Sequence, residues 1–291
     1  MNKDQMIRIT ISSLFLIIIL SGFVSAQKKN QDSPWFFIQL SDPQFGMLDG
    51  NNGFEKETAL YEKAVAKIND LRPDFVVITG DFVNDQHSAS QINEFKRITA
   101  KISSKIPVYY TPGNHDIGQN PDATSLDNFK RNYGDDQFSF RHKGSVCIGF
   151  NTGIIKAGPE KYEKEQSDWL TKKLRQSRKA QHIMLFTHYP FFNKTADEPA
   201  GYSNIDPENR KKYLDLFSSN RVDALFCGHH HNNGYASYGN MKLITTSALG
   251  KPLGEAPSGF RIVKVYPGKI DHQFFGLEEL PGKVDFSERS R

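Results

Sequence analysis

The chain has 291 residues, 37% hydrophobic and 24% charged, with a formal net charge of +4. That is the balance of an ordinary soluble globular protein. Basic and acidic residues alternate along the predicted helices, as over 160–178, which reads as solvated helix faces and excludes an evident nucleic-acid-binding surface.

In chain order, Lys3 and Arg8 flank and enter the apolar run Ile9–Leu20, and Val24-Ser25-Ala26 offers small residues for cleavage before Gln27. This is the pattern of a secretory signal peptide over residues 1–26. An uncleaved anchor is the alternative, but a spanning helix wants about 20 apolar residues and this run falls short. Cleavage predicts a secreted or periplasmic protein, and nothing later is apolar enough to cross a bilayer. Residues 27–291 suffice for a single domain with its core over 35–276 and a polar C-terminal tail that is expected to fray.

Trp35–Leu40 reads as a strand that ends in Ser41-Asp42-Pro43-Gln44. Leu60, Ala64, Val65, Ile68 and Leu71 give helical spacing over Glu57–Leu71, stopped by Pro73. Phe75–Thr79 is a second strand before Gly80-Asp81. Ile92, Phe95, Ile98 and Ile102 mark a second helix, and Val108–Thr111 a third strand. This alternation predicts a parallel sheet with right-handed crossovers. Further on come a short helix over Leu126–Tyr133, antiparallel strands Phe138–Phe140 and Ser145–Phe150, a helix over Glu163–Arg175 and a strand Ile183–Thr187. The loop from Asn193 to Asp206 has no regular pattern, and Asp206-Pro207 is a cap followed by proline at the first helical position. Ala224–Cys227 is another strand, and Met241–Thr246, Phe260–Tyr266 and Ile270–Phe275 read as hairpin strands. Cys147 and Cys227 fall inside strands, as buried free thiols do.

Five strand ends carry polar donors: Asp42 and Gln44; Asp81 and Asn84; Asn114, His115 and Asp116; His188; and His229 with His231. An open α/β sheet builds its site in the crevice beyond such ends. Carboxylate, amide oxygen and imidazole without thiolate suit first-row divalent ions such as manganese, iron or zinc. Asp42, Gln44, Asp81, Asn114, His188, His229 and His231 are too many for one catalytic ion with an open position. They suit two ions about 3.5–4 Å apart, the spacing used for in-line displacement at phosphorus. If Gly228–His231 is extended, His229 and His231 point one way and His230 the other.

Asp42-x-Gln44, Gly80-Asp81, Gly113-Asn114-His115-Asp116, His188 and Gly228-His229-x-His231 occur in the order and spacing of the calcineurin-like metallophosphoesterase family, which the chain resembles. Asp42–Gly46, Gly113–Gly118, Gly134-Asp135-Asp136 and Phe138-Ser139-Phe140 look most like its calcineurin-like phosphoesterase-domain serine/threonine phosphatase group. The resemblance implies a four-layer αββα sandwich of two mixed sheets flanked by helices, and a phosphoester substrate. It also implies one metal on Asp42, Gln44 and His231, a second on Asn114, His188 and His229, and Asp81 bridging both. A hydroxide shared by the ions would attack phosphorus, with His115 as the general acid. Asn84, Asn114 and His115 would meet the substrate.

The sequence departs from the wider pattern at Gln44, where many relatives carry histidine. It also departs at Asn84, where protein-phosphatase relatives have an aspartate that orients the acid, and at Asp85, which replaces a phosphate-binding arginine. Phosphomonoester hydrolysis is the leading expectation; a phosphodiesterase or nucleotide pyrophosphatase, and a non-catalytic metal-binding protein, are the alternatives. Phe191, Phe192 and Tyr202 either line a leaving-group pocket or cover the core.

Overall fold

A computed structural model of the chain describes residues 33–287, so the leader expected over 1–26 lies outside the described residues. The first half runs β1 (Trp35–Leu40), α1 (Glu55–Leu71), β2 (Val76–Thr79), α2 (Ala89–Thr99), β3 (Val108–Thr111), α3 (Asn114–Ile117) and α4 (Ala123–Tyr133). Then come β4 (Phe138–His142), β5 (Ser145–Gly149), α5 (Thr152–Ala157), α6 (Glu160–Ser177), β6 (Ile183–Phe186) and α7 (Pro207–Ser219). The chain closes with β7 (Ala224–Cys227), β8 (Gly234–Tyr238), β9 (Met241–Thr245), β10 (Gly259–Tyr266) and β11 (Lys269–Gly276).

These strands form two mixed sheets, ordered β11-β10-β1-β2-β3 and β4-β5-β6-β7-β9-β8. β1, β2 and β3 are parallel, as are β5, β6, β7 and β9. Their carboxyl ends therefore share a rim in each sheet. Alternation along β1 sends Phe36, Ile38 and Leu40 under α1, α2 and α4, while Trp35 and Phe37 enter the seam between the sheets. That seam is aromatic: Phe37 stacks on Phe75 at 4.9 Å, and Phe186 on Phe226 at 5.4 Å. The outer face of the second sheet is covered by α6 and α7 through Leu170, Leu174, Leu214 and Phe217. The result is four layers, helices, sheet, sheet, helices. Cys147 and Cys227 are buried and free. Among the described residues no helix is long and apolar enough to cross a membrane.

Two elements carry no sequence signal, and two local expectations, the Asp206 cap and the frayed tail, are corrected. α5 is too short to show a period and is held instead by Asn151, whose Oδ1 accepts from Gly153 N and Ile154 N. β8 is a largely exposed edge strand with no apolar alternation to betray it. Asp206 occupies the cap position of α7 without capping it; its carboxylate accepts from Lys156 Nζ at 2.8 Å. The tail packs as far as it is described: Val284 is buried and Phe286 lies against Phe36 and Tyr266.

Candidate metal centre

The loops leaving β1, β2, β3, β6 and β7 meet over the seam. The turns that aim their side chains inward are tight. Asp42, Gln44, Asp81, His229 and His231 all have left-handed backbones, with φ between 38° and 71°. Non-glycine residues hold such angles only where the surroundings over-determine them, and they gather at functional sites. The extended Gly228–His231 segment expected from alternation is therefore absent. His230 still turns away, through a bend in which its ring Nε2 donates to Ser203 O at 3.1 Å. Two glycines permit the approach. A Cβ on Gly113 would overlap Asp81, and one on Gly228 would overlap Ser41 and stand 2.6 Å from Asp42 Oδ2.

All seven expected donors are buried. Asp81, His188 and His229 bring ligand atoms within 4.8 Å of one another, and so do Asp42, Asp81 and His231. The two groups share Asp81. His188 Nε2 lies 3.3 Å from Asp81 Oδ2, 3.1 Å from Asn114 Oδ1 and 3.2 Å from His229 Nδ1. His231 Nε2 stands 3.4 Å from Asp42 Oδ1. Backbone carbonyls select which nitrogen faces inward. His188 Nδ1 donates to Thr79 O at 2.9 Å and His231 Nδ1 to Lys251 O at 2.7 Å, which turns Nε2 of both rings toward the crevice.

Gln44 supplies the test of fit. Its Nε2 donates to Asn84 Oδ1 at 3.1 Å, while its Oε1 is buried with no partner. A buried acceptor left unpaired costs about 1–3 kcal/mol, which a cation would relieve. Oxygen and imidazole donors converging without thiolate are also the right chemistry for first-row divalent ions. Electrostatics agree. Burial lowers the His188 pKa, but Asp81 and Asp42 outweigh it and lift the ring to about 9. Burial and the charge on His188 push His229 down to about 2. Burial raises the Asp81 carboxyl, yet the surrounding histidines hold it well below the usual range.

His115 is half-buried beside the cluster. Its backbone N–H donates to Asp81 Oδ1 at 2.8 Å, and its ring Nδ1 donates to Asn84 O at 2.9 Å. The orienting group is thus the backbone carbonyl of Asn84, whichever side chain stands at that position. The Asn84 side-chain amide is engaged at both ends, accepting from Gln44 and donating to Asn51 Oδ1 at 2.8 Å. Asn84 therefore aims a cluster residue, and its carboxamide is not a free substrate contact. Asp116 is structural: its Oδ1 accepts from Phe82 N and its Oδ2 from Gly113 N, which ties the β2 and β3 loops together. Burial, with Asp81 nearby, pushes its carboxyl well up.

Of the three aromatic candidates, Phe191 and Phe192 lie in the core, while Tyr202 is 64% exposed. The Tyr202 ring sits 5.0 Å from that of His229, and its hydroxyl accepts from Asn114 Nδ2 at 3.4 Å and Gln119 Nε2 at 3.3 Å. This fixes the Asn114 amide with its oxygen toward His188. Sequence reasoning passed over Gln119 and Arg210. The buried Arg210 donates to the carbonyls of Ala196 and Ile205 and so holds the loop that carries Tyr202. An arginine on the inward face of a helix was the available signal.

A model of the calcineurin-like phosphoesterase family matches residues 37–233, a span that takes in every donor. The chain belongs to that family. The chain is 33% identical over 285 residues to the human serine/threonine-protein phosphatase CPPED1, covering 91% of this chain and 90% of that one. It is 26% identical over 223 residues to the Escherichia coli 3',5'-cyclic adenosine monophosphate phosphodiesterase CpdA, covering 72% and 74%. A dimetal phosphatase from Danio rerio shares the fold at a TM-score of 0.64 and 14% identity, over 84% of this chain and 97% of that one. A calcineurin-like phosphoesterase is a hydrolase of phosphoester bonds, and the two overlapping ligand groups accord with the family's dinuclear metal dependence. Within this member, Asp85 is a turn residue whose Oδ1 accepts from His87 N at 2.9 Å.

Proposed function

We propose that the protein is an exported metal-dependent phosphomonoesterase. The observation that carries this reading is the pair of buried ligand groups joined at Asp81, with the unpaired Gln44 oxygen beside them. Asp42, Gln44 and His231 would hold one divalent ion, Asn114, His188 and His229 the other, and Asp81 would serve both. When bound, the ions supply an activated water nucleophile and neutralise charge on the phosphoryl oxygens.

The chain's own groups do the rest. His115 Nε2 protonates the leaving oxygen, with its ring held by the Asn84 carbonyl at Nδ1. Its backbone bond to Asp81 keeps acid and cluster in register. Tyr202, Asn114 and Gln119 form one side of the crevice and position the substrate.

The E. coli relative supports a second reading as a phosphodiesterase. Purified protein with manganese, assayed on p-nitrophenyl phosphate and its bis-ester, separates the two: turnover of the bis-ester alone overturns the monoesterase reading. Export is supported by the charge and apolar pattern of residues 1–26. Mass spectrometry of the mature chain is expected to find Gln27 at its start; an intact Met1 on all of the exported or membrane-bound material overturns cleavage.

A further inference from the structure

Arg261 is buried on β10, and its guanidinium donates to Thr246 Oγ1, Asn233 Oδ1, Thr245 O and His272 Nδ1, none of which carries a negative charge. No carboxylate pairs with it among the described residues. A buried cation ordinarily has an anion beside it. Here one is reached through a chain of five hydrogen bonds.

Arg261 Nε donates to Thr246 Oγ1 at 2.7 Å, and Thr246 Oγ1 to Gln39 Oε1 at 2.6 Å. Gln39 is the one polar side chain of β1. Its Nε2 donates to Thr79 Oγ1 at 3.1 Å, Thr79 Oγ1 to Ser41 Oγ at 2.9 Å, and Ser41 Oγ to Asp42 Oδ2. Every member is buried. The direction is forced. A guanidinium only donates, a carboxylate only accepts, and each hydroxyl has one proton to pass on. Gln39 cannot turn over, because its Nε2 also donates to Cys227 O at 3.0 Å. All the bonds therefore point toward Asp42, and hydrogen bonds aligned in a low dielectric polarise one another.

At that end the chain meets the metal centre. Ser41 occupies Asp42 Oδ2, and Oδ1 is the oxygen 3.4 Å from His231 Nε2. We infer that Arg261 is a positioning residue for this centre: through Thr246, Gln39, Thr79 and Ser41 it fixes the Asp42 carboxylate with Oδ1 offered to a divalent ion. The inference rests on the two-ion reading above and goes beyond it, since Arg261 itself touches none of the seven donors.

Calorimetric titration of the chelator-stripped full chain with manganese is the test, with thermal unfolding beside it. Thr79→Val cuts the chain but leaves Arg261, its four partners and the Gln39 bond to Cys227 in place. It is expected to weaken one of the two manganese affinities about 2–30-fold, the coupling that such networks carry, and to leave the other unchanged. Thr79→Ser keeps the hydroxyl and gives up a methyl, so it is expected to bind as the parent does while melting lower. Thr246→Val, two links further out, should match Thr79→Val. Combining the two, or adding Arg261→Met to Thr79→Val, should weaken binding no more than one break alone. Unchanged affinities in both valine variants overturn the inference. So do losses that add in the double variants, or a fall in both affinities that tracks the melting temperature. A parent that takes up no manganese overturns the two-ion reading, and the inference falls with it.

Discussion

At the residue scale, chemistry sits in individual side chains whose types the sequence displays and whose aim it hides. His115→Ala is expected to lower kcat on an alkyl phosphomonoester about 10²–10⁴-fold, and far less on p-nitrophenyl phosphate, whose leaving oxygen needs little protonation. Equal losses on both, with metal content unchanged, would remove the acid role. Asn84→Ala takes away the partner of Gln44 Nε2, so one ion of the pair is expected to bind about 10–100-fold more weakly while the other holds. Calorimetric titration with manganese reads this as one affinity altered out of two. That these side chains gather in one crevice was legible because carboxylate, amide and imidazole at strand ends announce themselves by type and spacing. Their left-handed backbones were not, since those angles are imposed by neighbours distant in sequence: Gly228 must pass Ser41 and Asp42 before His229 reaches Asp42 with its own N–H.

At the element scale, strands with apolar runs were legible within a residue or so, and long helices within a turn. What escaped lacked a period. β8 lies on an edge with little to bury, and α5 owes its existence to Asn151 and to packing around Ile154. The loop 193–206 was rightly read as irregular, but its rigidity comes from α7, where Arg210 reaches back to the carbonyls of Ala196 and Ile205. Arg210→Ala strips buried carbonyls of their donor and is expected to cost about 2–4 kcal/mol. Thermal unfolding should show the loss, and KM should rise as Tyr202 loses its seat. A variant with an unchanged melting temperature and KM would show that the loop holds itself.

At the scale of the whole molecule, two sheets must stay in register for five loops to meet. The aromatic seam does most of this, and several polar ties cross it, among them Gln39 Nε2 to Cys227 O at 3.0 Å and one built on Arg261. Arg261 of β10 donates to Thr246 Oγ1 at 2.7 Å, just beyond the end of β9, and to Asn233 Oδ1 at 2.7 Å, just before β8. It also donates to His272 Nδ1 at 2.9 Å. Burial and the neighbouring Arg261 charge push His272 from 6.5 to about 4. A depressed histidine is protonated first in the unfolded chain, so its contribution holds above pH about 6.5 and is lost as pH falls toward about 4. Denaturant titrations of His272→Gln should therefore show a shallower loss of stability over that window than the parent. Matching slopes would exclude His272 as the source. The four-layer architecture was legible from element order and family likeness together; this tie was not, because its members are scattered from Asn233 to His272 and meet only when the sheets pack.

Beneath all three scales lies one claim, that seven buried side chains gather two divalent ions and that hydrolysis depends on both. Titrating chelator-stripped protein with manganese while following p-nitrophenyl phosphate turnover tests it most directly. Activity is predicted to be absent without metal and to saturate at two equivalents per chain, and Asp81→Ala is predicted to abolish it. Full turnover in stripped protein, or saturation at one equivalent, would contradict it.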